Sequence, residues 1–180
     1  MAGLLRNLLV ILRALFSYRS AAPLSPTQVN FRVTPLDTGI TTLKSDRYFQ
    51  MAESAQFDYV IRTGLIRDML AGGYSFVNLS QWSRFIRPIR LFSRLTVVTR
   101  VVHADDKCAW FHHSFHVQQA IHAEVFVKMK FKKGPVTVAP AQLLGPMPSF
   151  NGAKPAALQQ WDEALASAAA TPLTAEPLRF

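Results

Sequence analysis

The sequence predicts an α+β fold, an antiparallel sheet wrapped around one long helix, and three observations carry that expectation. Arg47, Gln50, Ser54, Asp58 and Arg62 recur at helical spacing as a polar face, beside an apolar stripe of Tyr48, Met51, Ala52, Ala55 and Tyr59. Beyond Gly73 the chain reads as strand after strand, with "ADDK" at residues 104–107 as a turn between two β-rich runs. In "HAEVFVKMKFKKG", Val125, Val127, Met129 and Phe131 face one way, and Glu124, Phe126, Lys128, Lys130 and Lys132 the other. Such alternation fits one buried and one wetter face. A single helix under a curved sheet satisfies this order of elements and leaves a sheet edge able to pair in a dimer.

In chain order, residues 1–21 form an amphipathic helix. Arg6 and Arg13, seven apart, share a face with Ser17, and Leu8, Leu9, Leu12, Leu15 and Phe16 fill much of the rest. Arg13 breaks the apolar run, which falls short of the ~18 residues a membrane span needs and gives a poorly formed secretory signal. Two partners suit such a helix: a membrane interface, with the arginines at anionic headgroups, or the protein's own surface. "APLSPTQ" reads as a linker. The central domain spans residues 26–137 and opens on a short β-prone stretch, "NFRVTP". Ser45 suits the N-cap of the long helix and Asp46 its first turn. Small Ala52 and Ala55 let that helix lie close to another surface, and Gly64, Gly72 and Gly73 punctuate its exit. Pro88 in "FIRPIRLF" marks a break between strands. Residues 138–180 form a Pro- and Ala-rich tail. In it Leu158, Trp161 and Leu165 predict a short docking helix, and "TPLTAEPLRF" reads as irregular.

Of the 180 residues, 49% are hydrophobic and 17% charged, enough apolar content for a core. The lone cysteine, Cys108, excludes a disulfide within the chain and fits a reducing, cytoplasmic compartment, with peripheral membrane contact through residues 1–20. The net charge of +9 points to an anionic partner. Arg84, Arg87, Arg90, Arg94 and Arg100 cluster loosely, as do Lys128, Lys130, Lys132 and Lys133. Each group is either a solvated strand face or a ligand surface. The histidines do not form a metal set: His112 and His116 of "HHSFH" share a strand face about 13 Å apart, with no Cys or carboxylate cluster to complete a site. Phosphate loops, nucleotide-binding glycine motifs and G-x-S-x-G signatures are absent. No metal or cofactor is expected, and no nucleic-acid partner.

Two stretches resemble the hotdog-fold acyl-CoA thioesterase superfamily, in its 4-hydroxybenzoyl-CoA-thioesterase-like branch, over residues 29–137. "FRVTPLDTGITTLKSDRYFQMAESAQFDYVIRTGL" has a strand, an Asp-containing loop and a central helix opening with Arg47 and Tyr48. "SRFIRPIRLFSRLTVVTRVVHADDK" is similar to the family's second and third strands. The pattern departs at Thr42-Leu43-Lys44-Ser45, where relatives commonly carry His-Met-Asn-Asn, and the spacing from Asp37 to Tyr48 differs by about one residue. The resemblance implies a hotdog fold, an acyl-CoA substrate, fatty in its acyl part, and a homodimer or dimer of dimers with the site between subunits. A loop carboxylate would attack the thioester or activate water, and N–H groups at the start of the central helix would hold the oxyanion. Asp37 is the first candidate, although Asp in such a Pro-x-Asp-x-Gly loop also caps turns. Glu53, where other hotdog branches place the acid, is the second; it also reads as a solvated helix residue. Gly39 would let the chain pass near the ligand. Ser45, Asp46 and Tyr48 would line the site, and Arg84, Arg87 or Arg90 would meet the phosphates of coenzyme A. A non-catalytic acyl-binding or membrane-associated interaction protein of the same fold is the alternative.

Overall fold

A computed structural model describes residues 2–22, 24–145 and 154–170. Its elements in order are α1 (Ala2–Leu15), β1 (Thr27–Arg32), a 3-10 turn (Pro35–Asp37), α2 (Ser45–Arg62), α3 (Leu65–Gly72), β2 (Tyr74–Phe85), β3 (Arg94–Ala104), β4 (Ala109–Val117), β5 (Ala120–Lys133), β6 (Val136–Val138), α4 (Ala141–Leu144) and α5 (Ala156–Ala170). Residues 1–147 form one compact unit and residues 148–180 another.

The predicted helix α2 is the core element. All five residues of its apolar stripe are buried, Met51, Ala52, Ala55 and Tyr59 completely. A curled antiparallel sheet in the order β1-β3-β4-β5-β2 packs against it. β6 pairs with β5 at Phe131–Lys133, beyond the reach of β4. Alternation along β5 holds as predicted, with Val125, Val127, Met129 and Phe131 buried. β4 sends Phe111 and Phe115 toward Tyr59 and Tyr48 of α2, at ring-centroid distances of 5.4 and 5.3 Å. The break at Pro88 falls between β2 and β3 as expected. There residues 89–91 turn back and pair with the loop before α2: Leu43 N donates to Ile89 O at 2.8 Å and Leu91 N to Thr41 O at 2.9 Å.

Several sequence expectations change in detail. Lys44, not Ser45, is the N-cap of α2, because its N–H is drawn to Asp37 O (3.0 Å) and holds it extended. The exit of α2 is a second helix, α3. It starts at Gly64, whose φ of 79° and close approach to the Arg19 side chain both exclude a Cβ. The polar face of α2 is not solvated, since Ser54 and Asp58 are buried.

What covers that face is α1. Asn7 makes a hydrogen bond with Ser54, Arg6 pairs with Asp37, and Val10 and Ala14 are buried. Of the arginine face, Arg6 therefore turns inward, while Arg13 stays exposed. Leu8, Leu9, Leu12, Leu15 and Phe16 (92% exposed) point outward. Among the described residues no helix is long and apolar enough to cross a membrane.

In the second unit, α5 forms over the stretch that carries Leu158, Trp161 and Leu165. Lys154 Nζ pairs with Asp162 Oδ2 at 2.7 Å, and Gln159 donates to Glu163 Oε1 at 3.0 Å. Residues 171–180, predicted to be irregular, lie outside the described residues.

Candidate active site

The start of α2 opens into a cleft of about 290 Å³, walled by Leu43, Tyr48, Phe85, Ile86 and Pro88, with Thr42, Ser45 and Arg87 as its polar members. Local pairing builds it. The loop before α2 is fixed to residues 89–91, with a bridge between Thr42 and Arg90, and β2 ends at Phe85 beside Tyr48 (centroids 4.9 Å apart). No side chain caps the first turn of α2. A helix N-terminus of this kind presents N–H donors and the positive end of the helix dipole to whatever enters.

The candidate residues divide between this cleft and other places. Ser45, Tyr48 and Arg87 line it. Burial raises the pKa of the Tyr48 phenol, against the opposing pull of a hydrogen bond with the Ile89 backbone, so the ring stays neutral. Asp46 lies on the exposed side of the first turn, 3.6 Å from Arg47 Nε and 3.4 Å from Gln50 Nε2. Gly39 donates its N–H to Thr42 O at 3.0 Å, and a Cβ there would meet nothing within 4 Å, so no close approach demands glycine.

Asp37 is away from the cleft. It is 1% exposed; Oδ1 pairs with Arg6, and Oδ2 accepts from Thr34 N (3.0 Å) and Thr34 Oγ1 (2.7 Å). Together with Asp37 N donating to Thr34 O at 2.9 Å, this is a reciprocal cap of the 3-10 turn. Glu53 is exposed on α2. Gln56 and Phe57, one turn on, meet Asn78 (3.5 Å) and Phe76 (centroids 6.0 Å apart) of β2. Residues three and four apart share a helix face, so Glu53 lies on the flank of α2 that borders β2, the free edge of the sheet.

Arg84 belongs to a different arrangement, on the sheet face turned away from α2. Its Nε donates to Glu124 Oε2 at 2.8 Å, Glu124 Oε1 lies 3.0 Å from His112 Nε2, and Arg100 Nε is 3.1 Å from His112 Nδ1. Desolvation pushes the Glu124 carboxyl upward, but the Arg84 and His112 hydrogen bonds outweigh it and the net shift is down. Burial and then Arg100 lower the His112 pKa, against the attraction of Glu124. His116 sits 2.9 Å from Ser114 Oγ, and His113 faces α2 with Thr99 Oγ1 at 2.9 Å. Among the described residues no three His, Cys, Asp or Glu side chains lie close enough to hold a metal ion.

The family model described as the thioesterase-like superfamily matches residues 40–145, from the loop before α2 to the end of α4. The chain belongs to the thioesterase-like superfamily. Solved structures agree on the fold. A protein from Bartonella henselae described as a probable thioesterase aligns at TM-score 0.58 and 18% identity over 64% of this chain and 98% of its own. YbaW from Escherichia coli, also described as a probable thioesterase, aligns at TM-score 0.59 and 16% identity over 62% and 88%. The DHNA-CoA thioesterase of Staphylococcus aureus aligns at TM-score 0.56 and 12% identity over 81% and 91%. No curated protein matches the sequence. The curled sheet around α2 is thus the hotdog fold, and membership of the superfamily supports thioester hydrolysis as the class of reaction.

Proposed function

We propose that this thioesterase-like chain hydrolyses acyl-CoA thioesters at the cleft that opens on the start of α2. The observation that carries the reading is a helix N-terminus without a side-chain cap at a cleft of mixed lining, where Tyr48, Phe85 and Ile86 stand beside Thr42, Ser45 and Arg87. In the reaction a carboxylate takes a proton from water, the hydroxide adds to the thioester carbonyl, and the oxyanion is held by the first-turn N–H groups. Collapse breaks the C–S bond, and the thiolate leaves as coenzyme A after taking a proton. Arg87 and Arg90 suit the coenzyme phosphates, whereas Arg84 is engaged by Glu124.

Glu53 is the carboxylate this reading favours over Asp37, whose oxygens are already taken by Arg6 and Thr34. Pairing of two copies across β2, which exposes Val77, Leu79 and Trp82, would place the Glu53 flank of α2 at the joint between subunits. The outward leucines of α1 support contact with a membrane surface, which would bring fatty acyl-CoA within reach.

One observation favours a second reading: with Asp37 locked, this fold would bind acyl groups without cleaving them. A thiol-release assay over a panel of acyl-CoA chain lengths separates the two. Turnover that Glu53→Gln lowers by about a hundredfold or more, with Asp37→Asn near the parent rate per folded molecule, is the expected result. Absence of turnover on every chain length would leave the acyl-binding reading.

A further inference from the structure

A second cleft, of about 330 Å³, lies between α1, β1 and the 3-10 turn, and shares no lining residue with the cleft at α2. Leu9, Val10, Val29, Phe31 and Leu36 make its walls mostly apolar. Consecutive residues 29–32 of β1 contribute, from both faces of the strand, so β1 presents its edge here; among the described residues that edge carries no neighbouring strand, since β1 pairs with β3 on its other side.

Its charges are lopsided. Three arginines line it: Arg6 inside, and Arg13 and Arg32 exposed. The one carboxylate, Asp37, is buried and fully occupied. Arg6 spends one Nη on Asp37, and its other, Nη1, is buried with no hydrogen-bond partner among the described residues. An anionic group is the best partner for guanidinium charge that the cleft's own carboxylate does not balance. The volume sits at the low end of small-molecule pockets, fitting one alkyl chain better than a two-chain lipid or a coenzyme.

We propose that the α1–β1 cleft binds one molecule of a single-chain fatty acid, its carboxylate drawn to the positive charge of the arginines and its alkyl chain lying along Leu9, Val10, Val29, Phe31 and Leu36. Arg13 and Arg32 add attraction at the mouth. The site is independent of thioester hydrolysis, and its occupancy can be measured whether or not the chain turns over acyl-CoA.

The test is isothermal titration of the full chain with dodecanoate below its micelle-forming concentration, against dodecylamine as a cation of equal chain length. Expected are one dodecanoate per chain and at least tenfold weaker binding of the amine, a difference of about 1.4 kcal/mol or more. Leu9→Trp fills the rim from a half-exposed position, and Arg32→Glu reverses an exposed charge; both weaken dodecanoate binding at least several-fold with an unchanged melting temperature. Thr42→Trp, which obstructs the other cleft, leaves binding at the parent value. Equal affinity for the amine, indifference to both Leu9→Trp and Arg32→Glu, or loss of binding in Thr42→Trp would overturn the proposal. So would binding seen only to phosphatidylglycerol vesicles and not to monomeric dodecanoate, which would assign the arginines to a lipid surface.

Discussion

Replacing Arg6 with Met tests the contact on which the reading of Asp37 depends. The substitution keeps a long apolar stem against α2 and removes the charge that pairs with Asp37. A carboxylate 1% exposed then keeps only the Thr34 N and Oγ1 hydrogen bonds, at 3.0 and 2.7 Å. Removing one partner of a buried ion pair costs about 3–5 kcal/mol. The two remaining donors place this case at the lower end, about 3 kcal/mol. In a domain of this size each kcal/mol moves the melting temperature by about 2–4 °C, so the expected drop is about 6–12 °C by circular dichroism. The double variant Arg6→Met/Asp37→Asn removes both charges and should recover much of that loss, a non-additivity that identifies the pair as the cause. The reasoning fails if Arg6→Met melts within about 2 °C of the parent, or if Asp37→Asn melts normally yet abolishes thiol release.

The other expectations rest on separate features. His113 is fully buried, and desolvation lowers its pKa from 6.5 to about 3, so the unfolded chain binds the proton that the folded chain refuses. Stability is therefore lost as pH falls below 6.5, by up to about 1.4 kcal/mol per pH unit from this group alone; urea midpoints at successive pH values should fall, and His113→Phe should flatten the slope. Ala55→Leu crowds a fully buried position between α2 and the sheet and should cost about 1–3 kcal/mol, read as a lower urea midpoint. Leu79→Lys puts a charge on the exposed edge strand β2, and sedimentation should show the parent as a dimer and the variant as a monomer. Deleting residues 1–20 should abolish sedimentation with anionic liposomes, and unchanged sedimentation would remove the membrane role of α1.

The long helix and the strands were legible because periodicity reports directly on burial. The stripe from Tyr48 to Tyr59 and the alternation from Val125 to Phe131 both sit where their spacing puts them. Periodicity does not say what lies on the other side. Ser54 and Asp58 belong to the polar face of the spacing, yet α1 covers that face, and only the three-dimensional return of the N-terminus brings Asn7 to Ser54 and Arg6 to Asp37. The N-cap slipped from Ser45 to Lys44 for a similar reason, since pairing of the preceding loop with residues 89–91 and with Asp37 O outweighs local cap preference. Arg84 and Arg87 look equivalent in sequence. Strand register separates them by setting Arg84 opposite Glu124, 40 residues away, while Arg87 falls at the cleft beyond the end of β2.

The two candidate carboxylates differ in the property that matters for a base. A catalytic carboxylate needs a desolvated setting and a free lone pair aimed at water. Asp37 has the burial, but an arginine and two donors hold its oxygens and keep them from a reacting water. Glu53 has the freedom but is exposed in the single chain. Closing the β2 edge against a second copy would exclude bulk water from the Glu53 flank and hold its carboxylate beside the substrate at the moment the joint forms. If Glu53 is the base, activity and dimerisation are then one event. Turnover per chain should fall on dilution in step with the dimer fraction, and an obligate monomer such as Leu79→Lys should be inactive although folded. An active monomer would instead return the search for a base to groups within one chain.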